Sequence, residues 1–303
     1  YPGVRMDVDR EMPELHALAS YYAAQGGMLW VADDGEALAG MIAVRSAGNG
    51  AWEICRVYVG PALHGSGLGH RLLDQAEAFA RARGAERLVL WSDTRFDRAH
   101  RFYEKRSYVR HSPIRVLDDI SNSLEYGYAK PVNGVAELDI AAATSAGRRL
   151  GEVLAACVED GAAAPFLPPL APDRADAFYR RVASDIGAGK RVLVAAWRDG
   201  VLVGSGMLDL NMPENQAHRA QVMMLMVHPA VRRSGIGRQI LRALERRAAA
   251  ADRTLLTLDT RADDAGEALV RALGWQEAGR IPAYTVDACG TKHPAVLFWK
   301  APG

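Results

Sequence analysis

Residues 57–73 read VYVGPALHGSGLGHRLL, an apolar segment followed by a glycine-rich turn and the start of an amphipathic helix. The arrangement returns 168 positions later, where residues 225–241 read LMVHPAVRRSGIGRQIL. The copies share their key glycines, which are Gly67 and Gly69 in the first and Gly235 and Gly237 in the second. A repeat of this length predicts two copies of one domain rather than a solenoid, whose repeats are much shorter.

The chemistry of this turn is specific. A glycine turn between a strand and a helix leaves backbone N–H groups without partners, all directed at one point. The helix dipole adds partial positive charge at the same point, so the turn favours an anion. Two such turns predict two sites for a ligand that carries phosphate.

Length and composition predict the number of domains and exclude several classes of protein. The 303 residues suit two domains of roughly 150 residues each. A net charge of +1 predicts neither nucleic-acid nor membrane-surface binding, and no apolar run approaches the roughly 20 residues that span a bilayer. The three cysteines form no CxxC pair and no signal peptide is visible, so we expect a cytoplasmic protein without a thiolate metal site.

Hydrophobic periodicity predicts the same order of elements in both halves. In the first half we expect helices at 9–24, 67–83 and 97–106, with strands at 28–33, 37–45, 52–59, 86–92, 107–116 and 122–130. In the second half we expect helices at 144–158, 173–186, 235–250 and 263–272, with strands at 136–142, 190–197, 200–209, 219–227, 254–259, 275–282 and 293–300. The first half lacks a counterpart of the strand at 136–142.

This order resembles the GNAT N-acetyltransferase superfamily in both halves, best over 57–73 with 88–108 and over 225–241 with 255–275. The tail, at 279–284 and 297–300, resembles the acetyltransferases related to tabtoxin resistance, which modify small-molecule amines. The resemblance implies an α+β fold of two GNAT-like domains, 1–131 and 136–303. In each domain a mixed, mostly antiparallel sheet is flanked by helices. It also implies acetyl-CoA as donor, a small-molecule amine as acceptor and no metal; a monomer and a homodimer both remain open.

The family pattern also implies two residues that handle protons. A base glutamate stands fourteen residues before the first key glycine, which is Glu53 in the first copy and Gln221 in the second. A general-acid tyrosine stands five residues before a closing aromatic, which is Tyr103 in the first copy and Val270 in the second. Glutamine and valine cannot transfer protons in this way, so the first domain is predicted to be catalytic and the second to bind CoA only.

The predicted cofactor-binding residues follow from the same pattern. Backbone amides ten residues before the key glycines, at Val57 and Leu225, are implied as oxyanion donors, with pantetheine contacts near Val59 and Val227. The remaining members of the set are Tyr58, His64, Gly65, Ser66, Gly67, Leu68, Gly69 and His70 in the first copy, and Met226, Arg232, Arg233, Ser234, Gly235, Ile236, Gly237 and Arg238 in the second. His64 stands where the family prefers arginine or glutamine.

Three alternatives remain open from the sequence. The second domain could carry out the chemistry, which the tabtoxin-resistance-like tail favours. The protein could be an acyl-CoA-binding sensor or scaffold without turnover, which the Glu53–Tyr103 pair disfavours. Cys55 could form an acyl-enzyme, but that route needs a base-paired thiolate and no partner is evident, so a small buried side chain is the favoured interpretation.

Overall fold

The structure, a computed structural model, describes residues 8–33, 35 and 37–302. The chain divides into two compact units, Tyr1–Val132 and Asn133–Gly303. Each unit has one mixed, mostly antiparallel sheet with helices packed on it. The predicted α+β fold class is therefore confirmed.

The first unit contains a six-stranded sheet in the order β1-β2-β3-β4-β6-β5. Its helices are α1 (Val8–Glu11), α2 (Leu18–Ala24), α3 (Leu68–Ala82) and α4 (Asp97–Lys105). Its strands are β1 (Met28–Asp33), β2 (Leu38–Gly48), β3 (Ala51–Val59), β4 (Arg87–Asp93), β5 (Val109–Val116) and β6 (Leu124–Pro131). Strands β3 and β4 pair in parallel, and the other neighbouring strands pair antiparallel.

The predicted helix at 9–24 is broken in two. A 3-10 helix at Pro13–Ala17 separates α1 from α2. Proline lacks the N–H that a continuous helix needs, and it disfavours helical geometry at the preceding residue, Met12. The segment before α2 is therefore a chain of short turns rather than one long helix.

The predicted apolar face of α3 forms the core of the first unit. Leu72 and Leu73 pack with Ile42, Ile54 and Leu88 of the sheet, and all five side chains are buried. Burying one such side chain stabilises the folded state by about 1.5–3 kcal/mol. This packing fixes the start of α3, and with it the glycine turn, against the end of β3.

The second unit contains a seven-stranded sheet in the order β12-β13-β11-β10-β9-β8-β7, in which β10 and β11 are parallel. Its strands are β7 (Gly134–Leu138), β8 (Arg191–Arg198), β9 (Val201–Asp209), β10 (Arg219–Val227), β11 (Leu255–Arg261), β12 (Gln276–Val286) and β13 (Lys292–Lys300). Its helices are α5 (Ile140–Glu159), α6 (Pro172–Gly187), α7 (Ile236–Ala249) and α8 (Ala265–Ala272).

The first strand of this unit is shorter than predicted, and the helix after it starts earlier. Asp139 is the N-cap of α5, and its carboxylate accepts a hydrogen bond of 2.8 Å from the Ala142 amide. An aspartate cap satisfies an otherwise unpaired helix amide and sets the helix start. Residues 140–142, which the sequence assigned to a strand, are therefore helical.

An ion pair fastens the central helix of each unit to its sheet, and the pair of the first unit is buried. In the first unit the Glu77 carboxylate lies 2.8 Å from Lys130 Nζ and accepts a hydrogen bond of 3.1 Å from the Tyr108 hydroxyl. Burial lowers the pKa of Lys130 to about 8, against the opposing attraction of Glu77. The second unit repeats the arrangement with Glu245, Lys300 at 3.0 Å and Trp275 Nε1 at 2.8 Å.

Candidate active site

The central strand of each sheet is bulged at the same position. Arg56 in β3 has φ 53° and Met224 in β10 has φ 54°, both in the left-handed region that side-chain-bearing residues rarely adopt. The register of each strand against its antiparallel neighbour shifts at this point. The bulge increases local twist and turns the rest of the strand out of its regular path.

Beyond the bulge, the two parallel strands of each sheet no longer pair. Pairing of β3 with β4 ends at Glu53, and pairing of β10 with β11 ends at Gln221. Residues 57–59 and 225–227 therefore border a cleft between the separated strands. Their backbone groups on that side are available to a ligand.

The glycine turns close one end of these clefts. Gly67 and Gly235 are the N-caps of α3 and α7, with φ 84° and 85°, and neither helix has an acidic residue in its first turn. Within the part of the chain that the structure describes, the amides of Gly67, Gly69 and His70 have no hydrogen-bond partner. A Cβ atom built on Gly235 meets nothing within 4 Å, and one built on Gly67 meets only Arg71 Nη1 at 3.9 Å. These amides border open space that fits a phosphate group.

His64, which is atypical for the family, makes the same hydrogen bond as Arg232. His64 Nε2 donates to the Val59 carbonyl at 3.1 Å, and Arg232 Nε donates to the Val227 carbonyl at 3.2 Å. Each side chain thus fastens the turn to the last residue of the preceding strand. Histidine can replace arginine here because the contact needs one N–H donor at that place.

The two turns differ in the charged residue that contacts His64 in the first and Arg232 in the second. Arg98 Nη1 of α4 donates to His64 Nδ1 at 3.0 Å, which places a guanidinium beside the first turn. In the second turn Arg232 forms an ion pair with Asp160 at the end of α5. Sequence reasoning missed Arg98 because it is 34 positions from His64.

The structure places the predicted cofactor-binding residues on three adjoining segments in each unit. In the first unit the strand end holds Val57, Tyr58 and Val59, the turn holds His64, Gly65, Ser66 and Gly67, and the helix start holds Leu68, Gly69 and His70. In the second unit the same segments hold Leu225, Met226 and Val227, then Arg232, Arg233, Ser234 and Gly235, then Ile236, Gly237 and Arg238. Each set is continuous around one cleft, as a donor site requires.

Glu53 lies on β3 where the cleft begins. Its Oε2 accepts hydrogen bonds from Arg45 Nε at 2.8 Å and is 2.7 Å from Arg45 Nη2. Arg45 is held in turn by the Tyr21 hydroxyl at 2.9 Å and by Gln25 at 3.2 Å. Glu53 Oε1 has no partner among the described residues. The arrangement orients the carboxylate and leaves one oxygen to accept a proton.

Tyr103 of α4 is buried, with 6% of its surface exposed, and its ring packs on Phe102, Tyr108 and Tyr128. Its hydroxyl has no hydrogen-bond partner among the residues that the structure describes. Burial, with smaller contributions from the nearby Tyr58 and Cys55, raises the pKa of Tyr103 above the ordinary range. The phenol therefore stays protonated at neutral pH and above it.

Val270 occupies the same place in the second unit. The Tyr103 carbonyl accepts the Tyr108 amide at 3.1 Å, and the Val270 carbonyl accepts the Trp275 amide at 3.1 Å. The spacing to the closing aromatic therefore identifies equivalent residues. Val270 is buried and has no proton to donate.

A carboxylate stands near Gln221 that sequence reasoning missed. Gln221 Nε2 donates to Asp259 Oδ1 of β11 at 3.4 Å, across the strand pair that opens into the second cleft. Asp259 is 24 residues after Gly235, outside the positions compared by the family pattern. Only the register of β10 against β11 brings it to the site.

Cys55 shares the strand with Glu53 but is poorly suited to attack. Burial, followed by the negative charge of Glu53, raises the pKa of the Cys55 thiol to about 12. A thiol of this kind is protonated at neutral pH, whereas thiolate is the nucleophile. The structure places Cys55 as a half-buried, protonated thiol, which does not favour the acyl-enzyme route.

The described residues contain neither a candidate metal cluster nor a helix that could span a membrane. No group of three or more histidine, cysteine, aspartate or glutamate side chains there could hold a metal ion. None of the helices in residues 8–33 and 37–302 combines the length and apolarity needed to cross a membrane.

The chain is similar to known acetyltransferases. A family model described as "Acetyltransferase (GNAT) family" matches residues 4–108 and 154–275. Similar solved structures include the putative acetyltransferase yncA from Salmonella typhimurium with acetyl-CoA (17% identity, 57% of this chain and 95% of that chain covered, TM-score 0.48). A ribosomal-protein-alanine N-acetyltransferase from Brucella melitensis (21%, 55% and 98%, 0.47) and a phosphinothricin acetyltransferase from Sinorhizobium meliloti with acetyl-CoA (19%, 57% and 89%, 0.48) are further examples. The family match spans both units.

Proposed function

Because the chain belongs to the GNAT acetyltransferase family, and is thus an acetyl-CoA-dependent enzyme, we propose that its first unit acetylates the amine of a small molecule by direct attack in a ternary complex. The observation that carries this proposal is the unpartnered hydroxyl on the buried side chain of Tyr103, at the position that Val270 occupies in the second unit. Family membership also favours turnover over a sensor or scaffold.

The first unit's residues divide the proton transfers between them. Glu53, through Oε1 or one water, takes a proton from the acceptor ammonium, so that the amine nitrogen can attack the thioester carbonyl. The Val57 amide stabilises the oxyanion that develops. As the carbon–sulfur bond breaks, Tyr103 gives its proton to the leaving thiolate. The free amides of the glycine turn hold the donor's phosphates.

Replacing Tyr103 by phenylalanine tests this assignment. We expect Tyr103→Phe to lower kcat roughly ten- to a thousandfold with little change in acetyl-CoA affinity, because only the transferred proton is lost. The fold is expected to survive, since the hydroxyl has no partner to lose. Val270→Ala in the second unit is the matched control and should leave turnover near wild type.

The pH profile is a second readout of the same residue. Because burial raises the pKa of Tyr103, its protonated form persists past the usual tyrosine range, and kcat should show no alkaline loss from this group below about pH 10. Unchanged turnover in Tyr103→Phe, or an alkaline loss below pH 10 that this variant removes, would contradict the assignment.

A second candidate places the chemistry in the second unit, as tabtoxin-resistance-type acetyltransferases would suggest. The observation that favours it is Asp259, a carboxylate held by Gln221 beside the second cleft. In this candidate Asp259 replaces the missing glutamate as base, and Tyr284, 48% exposed, serves as the acid. The first unit is favoured over this candidate because Tyr103 has a hydroxyl where Val270 has none.

A further inference from the structure

The two units carry different residues on one short stretch around the bulge. Val57 and Val59, like Leu225 and Val227, pack toward the central helix of their unit. The neighbouring positions at or next to the bulge carry different side chains in the two units. They are Cys55, Arg56 and Tyr58 in the first unit and Met223, Met224 and Met226 in the second.

Arg56 is the one cation in this set, and it is sheltered. Its side chain is 14% exposed and forms an ion pair with Glu14, whose side chain is 19% exposed. Arg56 Nη1 also lies 3.3 Å from Met12 Sδ. Both partners belong to the short-turn segment before α2, and Arg56 immediately precedes Val57, the proposed oxyanion donor.

The bulge does not need this ion pair. Met224 holds the same backbone conformation in the second unit, with φ 54° against 53°, although its side chain carries no charge. Removing two charges from water is costly, and a sheltered ion pair is often no more stable than apolar side chains of similar size. A guanidinium kept beside the reacting centre therefore calls for a role beyond supporting the strand.

We propose that Arg56 binds a carboxylate of the acceptor, so that the first unit's acceptor is an amino acid, and that Glu14 occupies this position until the acceptor arrives. Guanidinium matches a carboxylate with two parallel N–H donors, which methionine cannot do. Glu53, three residues earlier on the same strand, faces the ammonium of the same molecule. This rests on the proposed function, in that the first unit is the catalytic one.

Binding to the CoA-loaded protein tests the proposal without turnover. The probes are the twenty proteinogenic amino acids and their carboxamides, each titrated calorimetrically into the full chain saturated with CoA. We expect at least one amino acid to bind tenfold or more tightly than its amide. Arg56→Met, which installs the second unit's residue, should remove that preference. Arg115→Met, which breaks an exposed pair with Glu125, is the matched control and should keep it.

Glu14→Gln separates ligand binding from a structural role. If Glu14 competes with the acceptor, this variant should bind the amino acid severalfold more tightly than wild type. If the Arg56–Glu14 ion pair only supports the structure, Glu14→Gln and Arg56→Met should both weaken binding of the amino acid and of its amide to the same degree. Absence of any acid-over-amide preference, or parallel weakening in both variants, overturns the proposal. Turnover that Tyr103→Phe leaves unchanged would instead overturn first-unit chemistry alone.

Discussion

The glycine that caps α3 offers a clean test of where the donor binds. Gly67→Ala adds one methyl group at φ 84°, and its Cβ would approach only Arg71 Nη1, at 3.9 Å. The left-handed conformation costs alanine about 1–2 kcal/mol, so the first unit should lose a few degrees in Tm while staying folded. The methyl group points into the space where the amides would hold phosphate. We expect acetyl-CoA affinity at this site to fall at least tenfold, about 1.4 kcal/mol.

The chain supplies a matched control at the other end of the same helix. Gly84 has φ 79° and equally open surroundings, and it follows the last turn of α3, so Gly84→Ala carries the same backbone strain away from the cleft. For the second unit, Gly235→Ala has Gly274→Ala, at φ 78°, as its control. These single changes are preferable to substitutions at Gly69, whose Cβ would already touch Val59 and Phe102.

Calorimetric titration of acetyl-CoA into wild type and these variants is the assay. We expect two sites in wild type, one of them weakened in Gly67→Ala and the other in Gly235→Ala. A single site that responds to one variant would identify the binding unit. If Gly67→Ala and Gly84→Ala bind acetyl-CoA with the same affinity, and Gly235→Ala matches its control, the free amides of the turns are not the phosphate site.

Two further predictions concern the second unit and the buried ion pair. Gln221→Ala should leave turnover near wild type, as should Asp259→Asn; a collapse of kcat in Asp259→Asn, with folding intact, would place the chemistry in the second unit. Since Lys130 has a pKa of about 8 in the fold and about 10.4 when unfolded, the unfolded chain binds the extra proton between those values. Stability of the first unit should therefore rise with pH across that window, by up to about 1.4 kcal/mol per unit, in urea unfolding. Lys130→Met should flatten the rise, and an equal slope in this variant would exclude Lys130 as its source.

The features predicted well from the sequence are those that depend on short local residue patterns. A glycine between an apolar strand and an amphipathic helix specifies the turn by itself, because the φ values near 85° at Gly67 and Gly235 favour glycine. Two copies of the pattern then fixed the domain count and the order of elements. The helix break at Pro13 and the N-cap at Asp139 are also local signals. Taking them into account would have given the correct starts of α2 and α5.

The features that sequence missed depend on pairing between strands. Neither arginine nor methionine is a turn-forming residue, so nothing in the sequence marks Arg56 or Met224 as left-handed. The bulge arises where one edge of a central strand loses its partner, which only the sheet defines. Asp259 was missed for the same reason, because only the register of the two strands places it beside Gln221.

The strained bulge of the second unit bears on what that unit does. A non-glycine residue in the left-handed region costs of order 1–3 kcal/mol, and such strain persists where the surrounding structure enforces it, often at ligand sites. Met224 carries this cost although Gln221 and Val270 offer no obvious proton chemistry. A unit with only a supporting role would gain stability by relaxing the strand. The retained bulge, with its cleft and free turn, therefore supports the proposal that the second unit also binds acetyl-CoA.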